Sequence, residues 1–174
     1  MNACISELKT RARLGLNSLA AGDRSLLTRV QAMTGLTIAV PQTWKLRHAF
    51  ALVAQSVGFR TWEQARRVLE GCANLGDDMG TFWHAPRCSG LLNHWFANYH
   101  EASEFQLRSQ ALTLLTYREQ FVVVDADYLR ELGVAYSGLG RGGEHFDAVR
   151  DYGNSPWLAM CAARLLAPES SWLR

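Results

Sequence analysis

The segment TWKLRHAFALVAQSVGFRTWEQARRVLE, residues 43–70, has the pattern of two amphipathic helices joined by a short turn. In its first half, apolar side chains recur at the spacing of one helix face: Leu46, Phe50, Val53 and Val57. Gly58 can then end the helix, because glycine adopts the left-handed conformation without a Cβ penalty. The segment therefore predicts a helical hairpin with its turn at residues 58–60.

Both helices of this hairpin have candidate N-caps. The Thr43 hydroxyl can accept a hydrogen bond from an unpaired amide of the first turn. Thr61, followed three residues later by Gln64, has the pattern of a capping box. The second helix then offers three apolar residues to a core: Ala65, Val68 and Leu69.

Two helices around a short turn containing glycine also form a helix-turn-helix, so DNA binding by the hairpin is an alternative. Trp62 stands where a recognition helix presents a small or polar residue to DNA, and Gln64 stands where an apolar anchor is needed. Since a motif is a hypothesis that its context must confirm, we expect a packing hairpin in which Trp62 closes a small core.

Two more helices are expected before the hairpin. Apolar residues between Ala3 and Ala20 fall on one stripe. Asp23 can cap a second helix, which Gly35 ends, and residues 36–41 form a connector. Residues 1–71 are thus predicted to form a four-helix module with short loops.

The module also fits a recurrent pattern, LKxxAKxL followed by HxxALxxVAxxxGFxSWxxL. The matching residues are Leu8, Lys9, Ala12, His48, Ala49, Val53, Ala54, Gly58, Phe59, Trp62 and Ala65. Over about residues 7–70 the chain resembles the small helical module of bacterial glyoxalase-related proteins. The resemblance implies a helical fold and a bacterial type of protein. It implies no catalytic residue, since the chain lacks the repeated βαβββ units and paired metal ligands of a glyoxalase, and His48 is expected to make a structural hydrogen bond.

The chain changes character after residues 72–81, a glycine-containing segment that we predict to be a linker. The run QFVVV, residues 120–124, is rich in β-branched residues and predicts a strand. Residues 112–117 predict its hairpin partner, with Arg118 and Glu119 as the link. Residues 91–96 could form a strand or a tight turn.

Three helices are expected around these strands. One runs from Tyr99 to Gln110, a short one follows Asp125, and the last opens at Ser155 and Pro156. Residues 82–174 are thus predicted to form a small α+β domain with a short antiparallel sheet. The predicted fold class of the chain is α+β, mostly α.

Charge is unevenly divided along the 174 residues, whose net charge is +2. Residues 1–71 carry ten Lys and Arg against four Asp and Glu, whereas residues 72–174 carry eight against twelve. A basic part is compatible with a nucleic acid or an acidic protein surface as partner, although a solvated basic face is the commoner outcome. The candidate contact residues are Arg11, Arg13, Lys45, Arg47, Arg60, Arg66 and Arg67.

Composition points to a cytoplasmic protein without a membrane partner. No apolar run approaches the roughly 18 residues that span a bilayer, and the N-terminal stretch lacks the apolar block of a signal peptide. The four cysteines are scattered without a CxxC pair, so we expect reduced thiols. No cofactor is expected.

The densest group of chemically active side chains is His84, Cys88, His94 and His100. Imidazole and thiolate are ligands that zinc prefers, and a thiol beside a histidine can be a nucleophile. These residues have no familiar ligand spacing, so a metal- or thiol-dependent enzyme is an alternative only. A further alternative, a phosphate-binding glycine loop at residues 138–143, lacks the GK[ST] ending of a P-loop.

Aromatic side chains are concentrated in the segment 83–99, with Trp83, Trp95, Phe96 and Tyr99. Aromatic residues are enriched at the centres of protein interfaces, so this segment could make the chain a protein-directed inhibitor or adaptor. The favoured prediction is a non-catalytic, macromolecule-binding accessory or regulatory protein. Its basic helical module would contact nucleic acid or an acidic protein surface.

Overall fold

The computed structural model describes residues 2–108, 111–134 and 146–172, and these contain seven α-helices and a three-stranded sheet. The helices are α1 (Ala3–Ala20), α2 (Ser25–Thr34), α3 (Leu46–Gln55), α4 (Trp62–Leu69), α5 (Tyr99–Gln106), α6 (Ala126–Glu131) and α7 (Ser155–Leu166). The strands are β1 (Asn93–Phe96), β2 (Thr113–Tyr117) and β3 (Gln120–Val124), and short 3₁₀ turns span Pro86–Gly90 and Glu169–Ser171. The predicted fold class, α+β and mostly α, is confirmed. The predicted glycine loop at residues 138–143 lies outside the described residues.

The sheet is antiparallel, with strand order β1-β3-β2. Strand β3 is central, and its side chains alternate between two cores because successive residues of a strand point to opposite faces. Phe121 and Val123 pack with Ala102 of α5, whereas Val122 and Val124 belong to the main core. Both faces of β3 are therefore buried, which explains its run of valines.

The helical hairpin forms as predicted. The Thr61 hydroxyl accepts a hydrogen bond from the Gln64 amide at 3.1 Å, and Gly58 has a φ of 88°. The rings of Phe50 and Trp62 stack with centroids 4.4 Å apart. Trp62 is thus used inside the hairpin, in the contact expected of a packing hairpin.

The predicted cap of α3 is wrong. Lys45, and not Thr43, occupies the cap position, and the His48 Nδ1 atom accepts a hydrogen bond from the Lys45 amide at 3.1 Å. Trp44 packs against the cluster around Leu52 and Lys45 is extended, so the helix begins later than expected. The expected structural hydrogen bond of His48 is confirmed.

Three other details at helix ends differ from the predictions. Helix α7 is capped by Asn154, whose side chain accepts from the Trp157 amide at 3.3 Å, and not by Ser155. Gln64 reaches back to the Arg60 amide at 2.7 Å, one residue before the expected position. Helix α5 ends at Gln106. The two cap positions depend on where the chain turns before each helix, and helical periodicity does not encode that turn.

The main core contains residues of both predicted modules. Leu8 of α1 and Val53 of α3 share it with Val122 of β3, Leu129 of α6 and Met160 of α7. The division into separate modules at residues 72–81 stays a prediction. Among the described residues, none of the helices combines the length and the apolar character needed to cross a membrane.

Candidate ligand-binding groove

Three turns from distant parts of the chain are joined by backbone hydrogen bonds. The Thr81 amide donates to the Gly58 carbonyl at 2.8 Å, which attaches residues 78–81 to the α3–α4 turn. The Arg118 amide donates to the Gly80 carbonyl at 2.7 Å, and the Met79 amide donates to the Arg118 carbonyl at 3.0 Å. The β2–β3 turn is thereby fixed to the helical hairpin, and the three turns form one rigid junction.

A groove of about 500 Å³ lies at this junction, and we call it the junction groove. The end of α2, the α3–α4 turn and the β2–β3 turn bound it, and its polar and aromatic lining includes Gln55, Arg60, His84, Tyr117 and Arg118. Its volume is in the range of about 300–1,000 Å³ typical of ligand sites. The helical part and the sheet part of the chain both contribute to it.

Two arginines bring positive charge to the junction groove from different turns. The Arg60 side chain is 76% exposed, and its Nε lies 3.7 Å from an Asp78 carboxylate oxygen. The exposed Arg118 guanidinium lies over the Tyr117 ring, 5.5 Å from its centre, and pairs with no carboxylate among the described residues. Arg118 is thus available to an anion, whereas Arg60 shares the groove with the Asp78 carboxylate in an exposed ion pair that contributes little.

A hydrogen bond to Tyr128 orients the His84 ring at the wall of the groove. The Tyr128 hydroxyl donates to the Trp83 carbonyl at 3.2 Å, and the His84 Nδ1 atom lies 2.8 Å from the same hydroxyl oxygen. The hydroxyl has one proton to give, and the donor and acceptor roles in its bond to His84 depend on the tautomer of the imidazole. Because Nδ1 faces Tyr128, Nε2 is the ring nitrogen on the side of the groove.

The environment also keeps His84 neutral. Burial lowers the pKa of His84, and the positive charge of Arg164 lowers it further. Both effects disfavour the protonated ring. His84 is therefore an uncharged imidazole at the wall of the groove.

Arg164, which is fully buried in α7, is the residue that sequence reasoning missed. Its guanidinium donates to the Phe82 carbonyl at 3.2 Å, to the Leu132 carbonyl at 2.5 Å and to the Ser171 hydroxyl at 3.0 Å. Burial lowers its pKa to about 9. Arginine is rarely buried without a carboxylate partner, so the residue type predicts exposure. Only the position of Arg164 between the inward-facing Cys161 and Leu165 could have indicated burial.

The predicted basic contact residues are dispersed. Arg11 bonds to Glu7 at 2.7 Å and to the Leu165 carbonyl at 2.6 Å, so it joins α1 to α7. Two other arginines are paired with nearby carboxylates: Arg66 with Glu63 and Arg67 with Asp77, each at 2.8 Å.

The remaining basic residues are exposed. Arg13 lies on α1, and Lys45 and Arg47 lie at the start of α3. The groove lies at the other end of α3, about 15 Å away, because a helix rises about 1.5 Å per residue. Of the seven predicted residues, Arg60 alone lines the junction groove.

The predicted His and Cys group is separated by the sheet. On β1, His94 packs against Phe105 at 4.4 Å, while the next residue, Trp95, packs against His84 at 6.0 Å on the opposite face. Cys88 is buried, and burial raises the pKa of its thiol. His100 lies on α5 beside Glu104. The part of the chain that the structure describes contains no group of three His, Cys, Asp or Glu residues placed to hold a metal ion.

The aromatic segment 83–99 is mostly used inside the fold. Trp83 is 2% exposed and packs against Phe82, and the Tyr99 hydroxyl donates to Asp147 at 2.9 Å. Phe96 is half-buried against Phe105. Trp95 is 41% exposed and lies 5.0 Å from Tyr117, beside the junction groove.

The chain is thus a mostly helical α+β protein with a groove lined by arginine, aspartate and aromatic side chains. Comparison with known proteins gives no match: no protein-family model, no curated protein and no solved structure shows a relationship to the chain.

Proposed function

We propose that the chain is a non-catalytic accessory protein that binds a single strand of nucleic acid in the junction groove. The observation that carries the proposal is the meeting of two exposed arginines, Arg60 and Arg118, at one groove beside the Tyr117 ring. Proteins that bind single strands combine a positively charged groove with aromatic rings on which bases stack. The groove brings together both elements.

An acidic protein surface fits the same groove less well. Carboxylates would use the two arginines but would leave Tyr117 and His84 without a role. A nucleotide uses the arginines and Tyr117 together, since its phosphate binds a guanidinium and its base can stack on an aromatic ring for about 1–3 kcal/mol. The proposal thus assigns the phosphates to the arginines and a base to Tyr117.

The basic helical module alone is an incomplete site in this proposal. Arg60 comes from the α3–α4 turn, whereas Tyr117 and Arg118 come from the β2–β3 turn. Binding should therefore need the full chain. The exposed residues Arg13, Lys45 and Arg47 would contribute only through the general electrostatic field.

Fluorescence anisotropy with labelled single-stranded RNA and DNA oligomers of about 12 nucleotides, a length within the site sizes of known single-strand binders, tests the proposal. We expect affinity to fall steeply between about 50 and 200 mM salt, and Arg60→Gln and Arg118→Gln each to lower the salt slope by about 0.7. Arg13→Gln, on α1, is the matched control and should keep the slope.

Two outcomes would overturn the proposal. The first is the absence of salt-sensitive binding to any oligomer. The second is an equal loss in Arg13→Gln and Arg118→Gln, because that result would assign binding to general surface charge and not to the junction groove.

A further inference from the structure

We infer that the Asp78 carboxylate selects guanine among the bases that enter the junction groove, by accepting hydrogen bonds from two adjacent N–H groups on the Watson–Crick edge of guanine. Asp78 lines the groove together with Arg60 and Arg118. This inference rests on the proposed function. The arginines keep their phosphate contacts, and Asp78 becomes the specificity-determining residue of the same site.

The Asp78 carboxylate has one oxygen held by the protein and one oxygen open to a ligand. Its Oδ1 atom accepts from the Gly80 amide at 2.8 Å, which orients the side chain. Its Oδ2 atom accepts no hydrogen bond from the described residues and lies 3.7 Å from the Arg60 Nε atom, beyond the range of about 2.7–3.2 Å of an N–H···O hydrogen bond. An ionised carboxylate only accepts, and each oxygen has two lone pairs, so both oxygens can still accept from a base.

The backbone places Asp78 beside Tyr117, on whose ring the proposed function stacks a base. The amide of Met79, the next residue, donates to the Arg118 carbonyl at 3.0 Å, so residues 78 and 117 each lie one position from a directly bonded pair. The Gln64 Nε2 atom donates to the Asp78 carbonyl at 2.8 Å and attaches this turn to α4. Asp78 and Tyr117 both line the groove. A base on the Tyr117 ring can therefore direct its edge to a carboxylate that the backbone holds in place.

Guanine is the base whose Watson–Crick edge fits a carboxylate. Proteins that recognise single strands read this edge by hydrogen bonds. Guanine presents two adjacent donors there, N1–H and the N2 amino group, and the two oxygens of one carboxylate can accept from both. Adenine, cytosine and uracil each have an acceptor next to their donor on this edge. That acceptor would face a carboxylate oxygen, and two acceptors repel each other, so Asp78 disfavours the other three bases.

The negative charge of Asp78 opposes phosphate binding in the groove, because it lies 3.7 Å from the Arg60 Nε atom. A neutral residue would serve a groove that bound phosphate alone. Hydrogen bonds from base N–H groups give the charge a use, since bonds to an ionised acceptor are the stronger ones. Removing the charge should therefore have two opposite effects: weaker selection of guanine and unchanged or tighter binding of other bases.

Oligomers that differ in one base test the inference by fluorescence anisotropy. Three oligoadenylates of about six nucleotides, within the site sizes of single-strand binders, carry guanosine, inosine or adenosine at one central position. Inosine keeps the ring N–H of guanosine but lacks the N2 amino group. We expect the wild type to bind the guanosine oligomer about tenfold more tightly than the adenosine oligomer, with the inosine oligomer between them.

Two substitutions separate recognition from general charge. Asp78→Asn replaces one acceptor oxygen by an amide N–H group, so the preference for guanosine over inosine should disappear, while the adenosine oligomer binds at least as tightly as it binds the wild type. Asp77→Asn is the matched control, because it removes a carboxylate from the same turn. Asp77 pairs with Arg67 at 2.8 Å and is not among the described residues that line the groove, so this variant should keep the preference. Urea unfolding confirms that both variants are folded.

The outcomes distinguish this inference from the proposed function. Salt-sensitive binding of the wild type with equal affinities for the guanosine and adenosine oligomers would overturn the role of Asp78 and leave the groove proposal in place, whether or not Asp78→Asn folds. A preference for guanosine that folded Asp78→Asn retains would do the same. Absence of binding to all three oligomers would overturn both.

Discussion

The guanidinium carbon of Arg164 lies 3.4 Å from the centre of the Trp172 ring, in a position closed to solvent. The same guanidinium bonds to the carbonyl of Phe82, next to the groove wall, and to the carbonyl of Leu132, at the end of α6. Since carbonyls at a helix C-terminus carry partial negative charge, the cation is stabilised there without a carboxylate. Arg164 thereby joins α6, α7 and the last described turn behind His84.

Arg164→Met should destabilise the fold by about 3 kcal/mol, because the carbonyls of Phe82 and Leu132 would lose their buried donor. Urea unfolding measures the difference. Arg130→Met is the control: Arg130 is exposed on α6 and, within the described part of the chain, its side chain pairs with Asp127, so its loss should cost less than about 1 kcal/mol. Equal stabilities of the two variants would contradict the role given to Arg164.

Gly58→Ala tests the contact between the helical hairpin and the junction. Gly58 has a φ of 88°, and a Cβ there would lie 2.8 Å from the Thr81 carbonyl carbon and 2.9 Å from the Phe82 nitrogen. We expect the free energy of unfolding to fall by more than about 2 kcal/mol. The positive φ of residue 58 and the clash of the new Cβ with the backbone of residues 81 and 82 both contribute.

Gly22→Ala is the matched control for this substitution. Gly22 has nearly the same φ, 89°, but no atom within 4 Å of the added Cβ. Gly22→Ala should lower the free energy of unfolding only by the backbone strain, about 1 kcal/mol. Thermal or urea unfolding compares the two variants. A Gly58→Ala variant as stable as Gly22→Ala would show that the backbone at Thr81 and Phe82 moves to accommodate the added Cβ at little cost.

Local sequence patterns correctly predicted the elements that are stabilised by interactions between neighbouring residues. The QFVVV run forms a strand because its valines have a core on both faces, and Thr61 caps α4 with its own hydroxyl. The cap of α3 was not predictable in this way, since Lys45 is placed by the packing of Trp44 and by the imidazole of His48.

The junction groove depends on contacts between distant residues. Charge alone identified Arg60 as a candidate, but Arg118 acquires its place only when the β2–β3 turn bonds to Gly80. The sequence offers His84 only within the alternative of a metal- or thiol-dependent enzyme, and the structure gives it Tyr128 as partner, 44 residues away. Spacing along the chain contains no signal for such a pair.

Thiol reactivity distinguishes the cysteines and bears on the thiol-enzyme alternative. Cys72 is exposed, whereas Cys4, Cys88 and Cys161 are buried with pKa values raised by loss of solvation. The thiolate is the reactive form, so one fast-reacting thiol per chain is expected with a colorimetric disulfide reagent at neutral pH.

Cys72→Ser should remove this fast phase, and urea should expose the three slow thiols. Cys88→Ser should leave the fast phase unchanged. A fast reaction assigned to Cys88 would contradict its burial and would return the thiol-enzyme hypothesis to consideration.

The titration of His84 should follow its burial and the charge of Arg164. Its pKa is lowered in the folded protein, below the ordinary value of about 6.5. As pH falls through that value the unfolded chain binds a proton that folded His84 does not, so the free energy of unfolding falls until the folded residue also titrates. NMR titration of the imidazole C–H signals, assigned with His84→Asn, measures the pKa directly.

Arg164→Met separates the two causes of this shift. The variant removes the nearby positive charge but leaves the ring among the same neighbours, so the pKa of His84 should rise part of the way toward its ordinary value. Urea unfolding at about pH 7.5 and 5.5, on either side of the ordinary histidine pKa, should show a smaller His84-dependent loss of stability in Arg164→Met than in the wild type. A folded wild type whose His84 titrates at or above its ordinary value would contradict the lowering of its pKa by burial and by Arg164.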